Sequence, residues 1–184
     1  MTTVLYNADD IERALQSMAD ELLVTSEDAS LAVVGIRRGG EHLATRLAGL
    51  LSERTGEDIP VGFVDITLYR DDGFGPNDWP VVGVTEIPFE LRQHTVVLVD
   101  DVLYTGRTVR AAIDAIIDYG RPMAIRLAVL VDRGLRELPI RADWVGFNLQ
   151  TTPEDHVDVH LHDRGVEADM VTVGPRGNGG EESE

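Results

Sequence analysis

Two adjacent carboxylates, Asp100 and Asp101, follow four apolar residues within residues 96–108 (VVLVDDVLYTGRT). Tyr104, Thr105, Gly106, Arg107 and Thr108 come next, at the start of a predicted helix. The apolar run reads as a strand buried on both faces, with the carboxylates where it should emerge. In an open α/β sheet ligands bind beyond the carboxyl ends of the strands. A helix N-terminus offers unpaired N–H groups and the positive end of a dipole, which suits a phosphate. Gly106 allows close backbone approach, and the threonine hydroxyls add hydrogen bonds. The carboxylates suit a sugar diol or a hydrated magnesium ion. A ligand with a phosphate on one side and ribose hydroxyls on the other would use every part of this segment. The plain alternative is two aspartates ending a strand and a threonine capping a helix.

Other candidates lie at corresponding places. Arg37, Arg38, Gly39 and Gly40 follow the apolar run Leu31–Ile36, and two guanidiniums beside two glycines suit a dense anion. Arg70, with Asp71 and Asp72, opens the Gly/Pro-rich loop 71–80 (DDGFGPNDWP), which could close over a reactive intermediate and exclude water. Asp132, Arg133, Arg136 and Arg141 follow another apolar run, 124–131, where contact with a base is reasonable. His156, His160 and His162 share strand parity, which can serve metal binding; an exposed edge strand is the reading preferred here, and no direct metal site is expected.

The elements that must position these groups alternate. Ile11, Ala14, Leu15, Met18, Leu22 and Leu23 recur at helical spacing, with Asn7 or Asp9 as the cap. Leu43, Leu47, Leu50 and Leu51 mark a second helix fading near Gly56, and residues 105–119 a third, closed by Gly120. Strands are predicted at 31–36, 61–69, 96–99 and 124–131. The alternation predicts an α/β fold, a mostly parallel sheet flanked by helices. One domain over residues 1–173 is expected, with residues 174–184 (GPRGNGGEESE) a disordered tail.

Composition narrows the chemistry. The 184 residues include no cysteine, which removes thiolate nucleophiles and Cys-ligated zinc. All 16 basic residues are arginine, so neither a Schiff-base lysine nor a Walker A lysine exists. Against 33 acidic residues the net charge is −17, which argues against a general grip on nucleic acid. Strong acidity is one lever used by halophiles, and predicts stability that rises with salt. No signal peptide and no apolar run of membrane-spanning length is apparent, so a cytoplasmic protein is expected.

Residues 96–108 resemble the phosphoribosyl-pyrophosphate (PRPP) signature of type I phosphoribosyltransferases. Residues 65–72 (DITLYRDD), 120–122 (GRP) and 127–142 (LAVLVDRGLRELPIRA) are similar to one subfamily: the bifunctional pyrimidine-operon attenuation regulator and uracil phosphoribosyltransferase. The resemblance implies an α/β core with a small hood and a flexible loop, assembled as a homodimer or larger. It implies conversion of uracil and PRPP to UMP and pyrophosphate, with magnesium carried mainly on the pyrophosphate. It also implies binding of pyrimidine-operon mRNA leaders when UMP or UTP is abundant. Asp100 and Asp101 would then hold the ribose hydroxyls, Thr105–Thr108 the 5-phosphate, with Val102, Leu103 and Tyr104 in the same PRPP segment. Arg70 would stabilise the departing pyrophosphate. The family carries an arginine where this chain has Gly39; either Arg38 substitutes from one position earlier or the loop differs in conformation. The family's RNA face is basic, whereas Glu12, Asp20 and Glu21 outnumber Arg13 on the first helix, and Phe147 stands where relatives have lysine. Residues 121–141 hold five arginines against Asp132 and Glu137 and could form a local basic patch. The alternatives are an RNA-binding attenuator with weak or no catalysis, and a phosphoribosyltransferase for another base.

Overall fold

The computed structural model describes residues 2–26, 30–71, 81–165 and 167–176. Its centre is a five-stranded parallel sheet in the order β3 (Val61–Val64), β2 (Leu31–Ile36), β4 (Thr95–Leu103), β5 (Ala124–Asp132), β6 (Trp144–Asn148). Every residue of β2 is buried, as expected for a strand covered on both faces. Helices α1 (Ala8–Thr25) and α2 (Glu41–Thr55) cover one face and α3 (Arg107–Tyr119) the other. Asn7 caps α1 through a reciprocal capping box with Asp10. Gly56, at φ 73°, closes α2 where a left-handed residue is required.

A second, antiparallel sheet forms the hood: β1 (Thr3–Asn7), β8 (Met170–Pro175) and β7 (Asp155–His160). Val157, Val159 and Val171 pack with α1 and α2 in one continuous core, so the hood is fastened to the sheet's helical face.

Three boundaries differ from expectation. Residues 61–69 do not form one strand: β3 ends at Val64, and Asp65 Oδ1 accepts the amide of Thr67, turning the chain into a 3-10 turn, Thr67–Tyr69. Strand β4 runs on through Leu103, because Asp100, Val102 and Leu103 still pair with Val129, Val131 and Asp132 of β5. Gly174 and Pro175 belong to β8, paired with His156 and Asp155, rather than to a tail. The predicted tail from 177 and the tip of the 71–80 loop lie outside the described residues. Among the described residues no helix is long and apolar enough to cross a membrane.

An ion-pair hub stitches the hood to the core. Arg46 of α2 bonds Asp169 and lies 2.7 Å from Asp163, while Asp169 also accepts the amide of His162 at 2.7 Å. Burial pushes the Asp169 carboxyl up, but Arg46 and His162 outweigh it and hold its pKa at about 2 against an ordinary 3.8. The folded-state pKa is the lower one. The stabilisation is therefore present above the unfolded value and is lost as pH falls from about 4 through about 2. D169N should cost on the order of 2 kcal/mol in urea unfolding at pH 7, and the gap to wild type should close towards pH 2. A gap independent of pH would rule out the charge as its source.

Candidate active site

A cavity of about 650 Å³ opens at the carboxyl ends of the strands. Ile36 at the end of β2, Asp65 and Ile66 after β3, Asp100–Leu103 of β4 and Arg133 after β5 all reach it, and β7 of the hood roofs it. This is where an open parallel sheet places its ligands.

Thr105, Gly106 and Thr108 line the cavity at the start of α3. Gly106 sits at φ 92°, a conformation that suits glycine. The segment following β5 buttresses this turn from behind. Arg136 donates to the carbonyls of Leu103 and Tyr104, and the amides of Glu137 and Leu138 both donate to Thr105 O at 3.0 Å. The carbonyls of three successive residues are thus engaged by protein, and the first-turn amides of α3 have no intrahelical acceptors. The turn is shaped to receive an anion.

Asp100 is buried, at 4% exposure, and Asp101 next to it is partly open. Each offers an oxygen to a neighbouring amide: Asp100 Oδ1 accepts from Asp101 N at 3.1 Å, and Asp101 Oδ1 from Val102 N at 2.7 Å. Burial pushes the Asp101 carboxyl above the ordinary range, opposed by Arg164 and by the Val102 amide, while nearby Asp158 adds to the rise.

The loop after β2 presses against these carboxylates. A Cβ on Gly39 would lie 2.7 Å from Oδ1 of both Asp100 and Asp101, and one on Gly40 only 1.9 Å from Val99 O. Gly40 is required by close approach to the backbone of β4, whereas at Gly39 the atoms met belong to the two carboxylate side chains. Arg37 lines the cavity, with its guanidinium engaged at the cavity's edge: it donates to Val84 O, faces Glu86 at 3.2 Å and Glu41 at 3.5 Å, and lies over the Phe63 ring. Arg38 lines the cavity, is exposed and takes φ 74°.

Arg70 also lines the cavity, on the 3-10 turn's far side. Its base is gripped by α3, since Tyr69 OH donates to Asp118, Arg110 donates to Tyr69 O, and Asp71 faces Arg107 at 2.8 Å and Arg110 at 3.3 Å. Arg107 is thereby turned outward to Asp71 and Glu137, and it does not line the cavity.

Of the four residues suggested for a base, only Arg133 borders the cavity. It lies over the Tyr104 ring at 4.1 Å and donates to Thr151 Oγ1 and to the carbonyls of Thr152 and Asp155, fastening β5 to the hood. Asp132 and Arg136 bond each other behind the turn that opens α3, and Arg141 is exposed away from the cavity. Asp158 and Arg164 of the hood reach the cavity without having been singled out as site residues, and His156 and His160 reach it too. The alternating pattern of 156–160 carried that signal; Arg164 had none, since its partners lie about 60 and 125 residues away in sequence.

Among the described residues no group of three or more His, Asp or Glu side chains could hold a metal ion. Asp65, Asp100, Asp101 and Asp158 line the cavity, and carboxylates of this kind suit a hydrated magnesium ion.

The model of the phosphoribosyl transferase domain matches residues 1–164. The bifunctional protein PyrR of Deinococcus deserti is 55% identical over 160 residues, covering 86% of this chain and 87% of that protein. Its namesake in Roseiflexus sp. is 52% identical over 170 residues, covering 91% and 93%. Among solved structures, a purine phosphoribosyltransferase from Pyrococcus horikoshii superposes with a TM-score of 0.58 at 25% identity, covering 75% of this chain and 81% of that one. A hypoxanthine phosphoribosyltransferase from Trypanosoma cruzi superposes with a TM-score of 0.65 at 17% identity over 81% and 78%, a likeness of fold.

Proposed function

We propose, from the premise that this chain belongs to the phosphoribosyltransferase family and to its bifunctional PyrR group, that it converts uracil and PRPP to UMP and pyrophosphate. The observation that carries the reading is one cavity in which two aspartates, a helix N-terminus and a glycine loop meet. Asp100 and Asp101 hold the ribose hydroxyls, and the 105–108 turn holds the 5-phosphate. The loop 37–40 faces the pyrophosphate. As the C1–O bond to pyrophosphate breaks and the C1–N1 bond to uracil forms, with the N1 proton released to solvent, positive charge develops on the ribose, and the neighbouring carboxylates stabilise it. Magnesium, when bound, neutralises charge on the leaving pyrophosphate. Arg70, held by the α3 contacts at the loop's base, is placed to meet the same group. The hood roof and Arg133 enclose the base side, excluding water that would otherwise hydrolyse PRPP. The protein acts in the cytoplasm as a homodimer or larger assembly.

The second activity is uridine-nucleotide-dependent binding of pyrimidine-operon leader RNA, and we expect it to be weak. Phe147 is spent stacking on Tyr6 at 3.7 Å, and Asp20 pairs with Arg54. Of the five arginines in 121–141, Arg126 pairs with Asp143 at 3.4 Å, Arg136 with Asp132, and Arg133 is buried. The local positive balance is thus largely used internally, which leaves few cations to displace counterions from RNA.

The test is purified protein with Mg²⁺, PRPP and a panel of bases, beside leader-RNA gel shifts at several salt concentrations. Uracil alone among the bases should give a nucleotide product, and RNA binding should have a shallow salt slope. Turnover of a purine base in preference to uracil would overturn the assignment, and tight, steeply salt-dependent RNA binding would overturn the expected weakness.

A further inference from the structure

The loop after β2 lacks a guanidinium at position 39, and in this chain's geometry a side chain there would push into Asp100 and Asp101. A guanidinium nevertheless stands at that spot, delivered from the hood. Arg164 Nη2 donates to Gly39 O at 2.7 Å, and its Nη1 lies 3.8 Å from Asp101 Oδ2. We propose that Arg164 is a second pyrophosphate-side cation of this site beside Arg70, supplied from the hood where Gly39 leaves the loop after β2 without one. The proposal rests on the PRPP reading above and adds a binding residue to it.

Three observations support it. Arg37 borders the cavity, but its guanidinium is already engaged by Val84 O, Glu41 and Glu86. Arg164 is preorganised: it ends the 3-10 turn His162–Arg164, whose other two residues are held by Arg46 and Asp169, and Gly165 at φ 85° closes that turn. A held guanidinium gives up little conformational freedom when an anion arrives. Finally, the cavity sits in a chain of net charge −17 with Asp101 and Asp158 close together. A dense anion there needs a local cation aimed at the loop, and a planar guanidinium can bond the loop carbonyl and a phosphate oxygen together.

On the loop itself the competing cation is Arg38, which lines the cavity, exposed and one residue before Gly39. Calorimetric titration with Mg·PRPP and with Mg·pyrophosphate on wild type, R164Q, R164K and R38Q separates the two, with steady-state kinetics alongside. R164Q should weaken both ligands more than tenfold and raise the KM for PRPP by a similar factor. The KM for uracil should stay within twofold and the Tm within a few degrees, and R164K should recover part of the loss. If R164Q binds both ligands within twofold of wild type, or R38Q loses more than R164Q, the proposal is wrong. It is also wrong if uracil and PRPP are affected alike, which would mark Arg164 as merely structural. If wild type itself fails to bind Mg·PRPP, the parent reading falls.

Discussion

Replacing Asp101 by asparagine is expected to lower turnover more than tenfold while leaving the Tm within a few degrees of wild type. Asparagine keeps the shape of the side chain and an oxygen for the Val102 amide, which Asp101 Oδ1 accepts at 2.7 Å. What it removes is the charge beside the ribose, at a place where burial makes a charge count for more than in water. A tenfold loss corresponds to about 1.4 kcal/mol of transition-state stabilisation. The pH profile carries a second signature. Burial sets the Asp101 carboxyl above 3.8, with Arg164 and the Val102 amide in opposition. The group is therefore protonated, and activity lost, at a higher pH than for an ordinary aspartate as the solution is acidified. D101N should flatten that acid limb. Wild-type turnover in D101N would remove this residue from the reaction.

Gly40→Ala should be as damaging by a different route. Its Cβ would sit 1.9 Å from Val99 O and 2.6 Å from Val99 C, both backbone atoms of the central strand. Neither can swing aside as a side chain can. Either β4 shifts, moving Asp100 and Asp101, or the loop 37–40 lifts off and α2 loses its N-terminal anchor, where Ala44 N donates to Gly40 O at 2.8 Å. Overpacking of this kind costs upward of about 3 kcal/mol. A fall in Tm of more than roughly 5 °C, together with a tenfold loss of PRPP affinity, is the expected result. Gly49→Ala is the internal comparison: an exposed position inside α2, where an added Cβ meets nothing within 4 Å. There alanine should be neutral or stabilising by up to about 1 kcal/mol. If the two substitutions behave alike, close approach at Gly40 is not what the position requires.

What could be read from the chain alone was whatever local pattern determines. The all-apolar run of β2 and the Asp-Asp before a Thr-Gly helix start each act within a dozen residues, and both stand where expected. The turn at 65–69 was misread because β-branched residues there are overridden by one side-chain bond, Asp65 to the Thr67 amide. The hood was mostly invisible because β1 pairs with β8 across more than 160 residues, a partnership that no local periodicity encodes. Among candidate site residues, those on β4 and at the start of α3 were legible because the strand and helix that present them were. Of the arginines after β5, Arg136 turns behind the 104–106 segment and Arg141 stays outside the cavity, while Arg133 borders it and also fastens the hood. Charge marks a residue as able to bind an anion; only the fold decides whether the anion is a ligand or the protein's own carbonyls and carboxylates. Arg164 is the converse case, an unremarkable residue in a polar turn that the hood carries to Gly39.

The central claim is that Asp100, Asp101 and the 105–108 turn together hold a phosphorylated ribose. The most direct measurement is an electron-density map of the protein with Mg·PRPP bound. The ribose hydroxyls should lie within hydrogen-bond distance of the Asp100 and Asp101 carboxylates, with the 5-phosphate on the backbone amides of 105–108. A ribose seated elsewhere, or a 5-phosphate bound away from the start of α3, would contradict it.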